Sequence, residues 1–410
     1  MKTYPILTIG GGVASGYLAE ELVEQGLEPG QLGILSAETR LPYDRPPLSK
    51  GILQGTDNLD ETLINSPDFY DDHGIDVLLG SRALEVDLER KIVDTPQENV
   101  PIRYERLVIA TGSRLRTLTL PGTELGGIHY LRHDRDSSRI RRGAADAREI
   151  VVVGGSFIGT EVAASLARGS DARITLVHPG GHILEGRPLT PRMAAFFEGY
   201  FRERGIDIRS GERVTAFEGD DRVESVILES GTTLSADLVV AGVGVAPNTA
   251  LFENSGLILD DGIRVDEHLR TDVDGVFAIG DVARYRDLLF DKHRRIEHWD
   301  NAFSQGRYLA RRLAGTEDGP FRHLPYFFSD VFDLSWEYWG DQEGADDVVY
   351  RGDMEEGSFS AWWLRDGRVV AAFVMDRPDE EREAAQELIR SGEEIDPETL
   401  RTESSSLPTG

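Results

Sequence analysis

The chain of 410 residues carries 73 Asp and Glu against 44 Lys and Arg, a net charge of −29, and only four of its basic residues are lysines: Lys2, Lys50, Lys91 and Lys292. A field of that sign repels nucleic acid and anionic membrane, and zero cysteines exclude disulfides, thiol redox centres and cysteine-ligated iron-sulfur clusters on this polypeptide. The acids are scattered rather than blocked, which fits a solvated surface suited to high salt better than a face for one basic partner. No apolar run approaches the ~20 residues of a membrane span, and Met1-Lys2-Thr3-Tyr4 leads into the first strand without a signal-peptide pattern, so a cytoplasmic location is expected.

The first predicted strand, Ile6-Leu7-Thr8-Ile9, enters Gly10-Gly11-Gly12-Val13-Ala14-Ser15 and then the helix-period segment Tyr17 to Val23. Strand, glycine turn and helix in that order form the context of a dinucleotide fingerprint. Glycines let the backbone approach a pyrophosphate, whose charge sits at the helix N-terminus. A second strand, Leu32-Gly33-Ile34-Leu35, is followed by Ser36-Ala37-Glu38, where the Glu38 carboxylate is placed to accept from a ribose. The prolines of Leu41 to Lys50 forbid a regular helix and predict a fixed loop ending in a cation. Arg45 in that loop is a candidate pyrophosphate clamp, because a guanidinium fork matches phosphate oxygens; the alternative is a surface cation. A later strand, Arg106 to Ile109, enters the small residues Ala110-Thr111-Gly112-Ser113, which permit tight packing on a ligand or a crossing chain.

Roughly one domain's length beyond the first fingerprint the pattern returns: Ile150-Val151-Val152-Val153, then Gly154-Gly155-Ser156-Phe157-Ile158-Gly159, then the helical Glu161 to Ala167. Two dinucleotides on one polypeptide suit hydride transfer between a nicotinamide and a flavin. The second unit has its own second strand, Ile174 to Val177, ending at His178, and Leu238 to Asn248, passing through Gly244, leads back toward the first unit. Gly275 to Asp281 reads as a buried strand ending in the Gly280-Asp281 turn. One nucleotide domain is therefore expected to be inserted in another. From about residue 321 aromatic residues concentrate with strand-like alternation, predicting a small third domain, and the polar, serine-rich stretch from Ile395 to Gly410 predicts a frayed tail.

Taken in order, the first fingerprint, the run Arg45-Pro46-Pro47-Leu48-Ser49-Lys50, the Ala110-Thr111-Gly112 turn, the second fingerprint with Glu161, and the Gly280-Asp281 turn resemble the FAD-dependent pyridine nucleotide oxidoreductases, in their ferredoxin-reductase and monodehydroascorbate-reductase branches. The resemblance spans residues 1 to about 390. It implies an α/β fold of two Rossmann-like domains and a small α+β C-terminal interface domain. FAD would lie in residues 1–113 and 243–320, NAD(P)H in the inserted residues 114–242, and the interface domain in 321–410. Carried over position by position, it implies that Gly10, Gly12, Val13, Ala14, Ser15, Glu38, Arg45, Lys50, Ala110, Thr111, Gly112, Gly280 and Asp281 contact FAD. Gly154, Ser156, Phe157, Ile158, Gly159, His178 and Gly244 would contact the nicotinamide nucleotide, and Glu297, His298 and Trp299 would lie at the flavin. Lys50 and Glu161 match the positions whose side chains meet near flavin N5, and Asp281 matches a carboxylate that hydrogen-bonds the ribityl chain.

Several readings stay open at this level. Glu161 also reads as a solvated helix residue, His298 as a structural histidine, and Trp299 equally as a packed tryptophan or as the exit for electrons. Ser156 replaces the middle glycine of the second fingerprint, and His178 stands where an NADH-preferring relative tends to place an acid, so NADH and NADPH are not distinguished. No spacing resembles a metal site, and Ser156 is not a nucleophile. Arg295 to Ala302 looks like the ferredoxin-reductase segment, Phe332 to Asp341 like the monodehydroascorbate-reductase one, with Trp339 where that branch has tyrosine. The leading expectation is a monomeric or homodimeric enzyme that passes electrons through FAD to a small iron-sulfur protein. The alternatives are reduction of a small radical or quinone, and a redox-switched flavoprotein resembling apoptosis-inducing factor.

Overall fold

The computed structural model describes residues 2–96, 101–186 and 188–407. Its chain forms two compact units: Met1–Arg45, Asp60–Arg114 and Val245–Pro325 make the first, and Pro46–Leu59, Leu115–Gly244 and Tyr326–Gly410 the second. In the first, strand Thr3–Ile9 lies at the centre of a mainly parallel sheet between Leu32–Leu35 and Ile102–Ile109, with Asp76–Leu78 outside the former and Val276–Ala278 alongside the latter. Near-continuous apolar runs buried on both faces, such as Leu7, Ile34, Leu107 and Ile109, are what a parallel sheet covered by helices demands. The register brings Ile9 level with Leu35 and Ile109, so the turns after the three strands open at the same end of the sheet. Ligands of such sheets bind outside those carboxyl ends. Helix Val13–Glu24 follows the first strand and packs on helix Trp299–Ala314.

The second unit repeats the design. Its parallel sheet runs Asp207–Ser210, Arg173–His178, Glu149–Val153, Leu238–Ala241 and Ile128–His129, and helix Phe157–Gly169 follows the central strand. The aromatic stretch forms a five-stranded antiparallel sheet in the order Tyr326–Val331, Leu334–Gly340, Arg368–Met375, Ser358–Arg365, Asp347–Asp353, and helix Asp379–Ser391 packs on it. Trp336, Trp362, Phe359 and Phe373 form its interior. The α/β class with two Rossmann-like sheets and a small α+β C-terminal part is thus the observed one.

The proline-rich loop from Leu41 to Lys50 holds no regular helix, as expected: Pro46–Ser49 is a 3-10 turn, and the single helical turn Gly51–Gln54 begins after Lys50. Proline is tolerated in a first turn because the N–H it lacks has no partner there. This segment is strapped down by hydroxyls, with Ser165 Oγ donating to the Ser49 carbonyl at 2.7 Å and Ser137 Oγ to the Leu48 carbonyl at 2.8 Å. One expectation needs correction: the tail is not frayed over residues 395–407. Helix Pro397–Arg401 is capped by Asp396, Leu400 is buried, and the buried Arg351 guanidinium donates to the carbonyls of Thr399, Leu400, Thr402, Glu403 and Ser405. Arg351, with Arg377 paired to Glu403, holds this tail from earlier elements, so its own composition carried no sign of order; residues 408–410 lie outside the described residues.

Candidate functional site

The two fingerprints adopt the same backbone. Gly10 and Gly154 have φ of +115° and +121°, and a Cβ added to either would fall 2.1 Å from the Ala110 carbonyl oxygen or 2.3 Å from that of Gly242. In each unit the crossing strand thus presses on the turn where only glycine fits. Helices Val13–Glu24 and Phe157–Gly169 start from Gly12 and Ser156 in extended backbone, and neither start has a side-chain cap, although Ser156 has a hydroxyl to offer. By contrast Ser66, Thr190 and Asp396 all cap their helices with side-chain oxygens. Uncapped first-turn amides, those of Val13 and Ala14 in one unit and of Phe157 and Ile158 in the other, keep their donors for an anion, so the residues fit two pyrophosphates.

Around the first fingerprint, Ser15 Oγ donates to the Gly10 carbonyl at 2.5 Å, and Ala14 packs beside Gly280, whose φ is +74°. Glu38 follows the second strand as expected, but its carboxylate accepts from Arg45 Nη2 at 2.5 Å and from the Tyr43 hydroxyl at 3.0 Å. Arg45 reaches to 4.0 Å from where a Cβ on Gly12 would stand, which brings ribose and pyrophosphate candidates together. Asp281 lies close enough to act electrostatically on that guanidinium, and its carbonyl accepts from Arg295. Thr111 Oγ1 donates to the Asn248 carbonyl at 2.8 Å, and the Gly112 carbonyl accepts from Asn248 N, so this turn is tied to the returning chain.

In the second unit the Gly244 carbonyl accepts from Arg116 N at 3.0 Å, and Ile158 stands exposed at the helix start while Phe157 packs on Phe327 with centroids 4.0 Å apart. His178 ends its strand with the ring against Gly155, buried, and with Nε2 3.1 Å from Ser210 Oγ. Ser210 in turn donates to the buried Glu198, which His182 and Arg202 also approach. His178 therefore points its Nε2 inward, to Ser210. Burial pushes its imidazole below the ordinary 6.5. The unfolded chain takes up this proton first, so stability should fall as pH drops below about 6.5, with part of the fall absent in His178→Asn. Denaturant midpoints measured at pH 7.5 and 5.5 on both proteins check this; identical losses would show that His178 does not titrate differently in the fold.

Lys50 and Glu161, 111 residues apart in the chain, meet: Lys50 Nζ stands 3.1 Å from Glu161 Oε1. The Glu161 side chain is 6% exposed and accepts two further hydrogen bonds, from Ser49 Oγ at 2.5 Å and Ser329 Oγ at 2.6 Å. The Lys50 ammonium also lies 5.5 Å from the centre of the Phe328 ring. A buried carboxylate with one cation and two hydroxyl donors has its acceptor oxygens satisfied. Of these donors Ser49 lies within the run Arg45 to Lys50, and Ser329 on the C-terminal strand Tyr326–Val331.

Trp299 opens helix Trp299–Ala314, stacks on Phe303 at 5.2 Å, and donates its indole N–H to Asp44 Oδ1 at 2.5 Å. His298 is the N-cap, its Nδ1 accepting from Asp300 N, and Glu297 pairs with Arg295. Asp44 was not singled out from the sequence, although it sits in the Arg45 run. Among the described residues no cluster of His, Asp and Glu could hold a metal ion, and no helix is long and apolar enough to cross a membrane.

Residues 4–306 match the pyridine nucleotide-disulphide oxidoreductase family, and residues 326–409 match the reductase C-terminal domain. The chain is 38% identical over 403 residues to the peroxisomal monodehydroascorbate reductase 4 of Arabidopsis thaliana, covering 93% of this chain and 81% of that one. Its fold superposes with a TM-score of 0.92 on a putidaredoxin reductase solved in covalent complex with putidaredoxin, at 33% identity over 98% of this chain and 96% of that one. The ferredoxin reductase of Rhodopseudomonas palustris gives the same TM-score at 32% identity, covering 98% of both chains. Two fingerprints of matched geometry, a buried Lys-Glu pair and relatives that align over nearly the whole length leave one conclusion: the chain belongs to the pyridine nucleotide-disulphide oxidoreductase family and is an oxidoreductase that uses FAD and NAD(P)H.

Proposed function

We propose that this enzyme carries electrons from NAD(P)H through FAD to a small iron-sulfur protein of the ferredoxin or rubredoxin type. FAD, when bound, supplies acceptance of a hydride and release of single electrons. In this reading Gly10, Gly12 and the amides of Val13 and Ala14 hold its pyrophosphate with Arg45, Glu38 serves the ribose and Asp281 the ribityl chain. Gly154 to Gly159 and Gly244 hold NAD(P)H, and Lys50 with Glu161 supplies a fixed charge arrangement for the hydride step. The same reading assigns residues 1–113 and 243–320 to FAD, 114–242 to NAD(P)H, and a monomer or homodimer in the cytoplasm.

The observation that carries the choice of acceptor is the placement of the tryptophans. Trp336 and Trp339 are 1% and 5% exposed, packed on Phe327 and Phe373 and on Tyr326 respectively, so they serve as core and offer little wall to a small radical. Trp299 instead is partly exposed and held by a directed hydrogen bond. A second reading, reduction of the monodehydroascorbate radical, is favoured by the activity named for the Arabidopsis relative.

Trp299→Ala should slow reduction of a [2Fe–2S] ferredoxin about tenfold or more while leaving ferricyanide reduction nearly intact, because only the former needs a defined exit. Steady-state assays of the FAD-loaded protein with ferredoxin, rubredoxin, ferricyanide and the monodehydroascorbate radical check both readings. Equal losses with all acceptors would make Trp299 structural, and rapid turnover with the radical alone would overturn the iron-sulfur reading.

A further inference from the structure

Asp44 joins three elements of the first unit. Its Oδ1 accepts from Trp299 Nε1 at 2.5 Å, and its Oδ2 from the Tyr17 hydroxyl at 3.3 Å. Tyr17 stands on helix Val13–Glu24 and meets Phe303 edge-on at 4.6 Å; Phe303 carries Trp299 on one side in parallel stack and Arg307 near its ring at 5.7 Å. Residues 299, 303 and 307 share one stripe of their helix, spaced four apart. Arg307 is itself fixed by Glu21 and Glu24 across the helix pair. The indole thus has a stacked face and an edge contact with Tyr17, and among the described residues its directional restraint is the carboxylate of Asp44. Hydrogen bonds to an ionised acceptor are short and roughly twice as strong as neutral ones, so Asp44 decides the rotation of the ring about its stack.

We propose that Asp44 is a positioning residue for Trp299, its carboxylate locking the indole in the orientation that acceptor-side turnover uses. The consequence for turnover rests on the exit role proposed above for Trp299; the positioning itself does not. Burial raises the Asp44 carboxyl above its ordinary value, while Trp299 and Tyr17 act against that rise. The charged groups facing the cluster are Glu20 on the first helix and Arg307 on the second, and both act on Tyr17. Tyr17 is itself pushed up, first by burial, and stays a neutral donor throughout the accessible range. Protonating Asp44 weakens the bond to the indole, so the lock is expected to loosen on acidification.

The test uses the FAD-loaded protein labelled with 5-fluorotryptophan, with Trp299→Phe identifying the Trp299 fluorine resonance. In the unsubstituted protein that resonance should move with pH through one titration whose midpoint lies above the ordinary carboxylate value. Asp44→Asn should flatten the titration, and Asp44→Ala should also displace the resonance. Reduction of a [2Fe–2S] ferredoxin by Asp44→Ala should fall about tenfold, with the rate of flavin reduction by NADH unchanged. A resonance that ignores pH and both substitutions overturns the proposal, and Asp44→Asn, which keeps shape and an acceptor oxygen, preserves the test should Asp44→Ala fold poorly. A displaced resonance with unaltered ferredoxin reduction upholds the positioning role and instead overturns the exit role of Trp299.

Discussion

Gly159→Ala is expected to abolish reduction by NAD(P)H while FAD content stays at one per chain. A Cβ at this position would lie 1.9 Å from the Gly154 carbonyl oxygen, a separation at which backbone must move because no flexible side chain is there to yield. Gly154 holds φ at +121° beneath the Gly242 carbonyl, so it has no room to retreat. The helix start must then tilt away and take the amides of Phe157 and Ile158 off the phosphate position. Affinity for NAD(P)H should fall about a hundredfold or more, and Gly159→Asp should do the same with negative charge added at the positive end of the helix. Stopped-flow reduction measured beside the visible flavin absorbance separates the two cofactors. Loss of both together would overturn the assignment of one dinucleotide to each fingerprint.

The next largest effect is expected at Lys50. Lys50→Met removes the one cation that, among the described residues, lies within hydrogen-bond distance of Glu161, leaving the carboxylate buried with the hydroxyls of Ser49 and Ser329. If the pair supplies preorganised charge for the hydride step, flavin reduction should slow by about a hundredfold, with FAD content unaltered and the KM for NAD(P)H little changed. An uncompensated buried charge also costs stability, on the order of 3 kcal/mol, and Lys50→Arg should restore stability better than rate, because a planar fork does not reproduce a compact ammonium. Rapid-mixing kinetics and denaturant titration on the same samples check both parts. Unchanged reduction kinetics would remove Lys50 from the chemistry and leave it a structural strap.

The first of these effects begins in features that are local in the chain, the second in a contact across 111 residues. A glycine turn between an apolar run and a helix-period segment constrains its own backbone, and so residues 6–24 and 150–169 could be read without knowledge of any partner. The doubled nucleotide unit, the aromatic C-terminal strands and the family resemblance all follow from such local or ordered signals. The orientation and partners of long side chains do not. His178 ends its strand as expected, and its Nε2 turns inward to Ser210, which donates to Glu198, both from later elements. The indole of Trp299 finds Asp44 across 255 residues, and Glu161 collects donors from residues 49, 50 and 329. Trp336 and Trp339 carried the same aromatic signal as Trp299, and packing alone sends the first two into the core. Periodicity and glycine placement therefore determine where the turns and sheets form, since they act through neighbouring residues. The charges and rings that surround each site are decided by the tertiary structure, because burial and hydrogen-bond geometry exist only once distant segments are packed together.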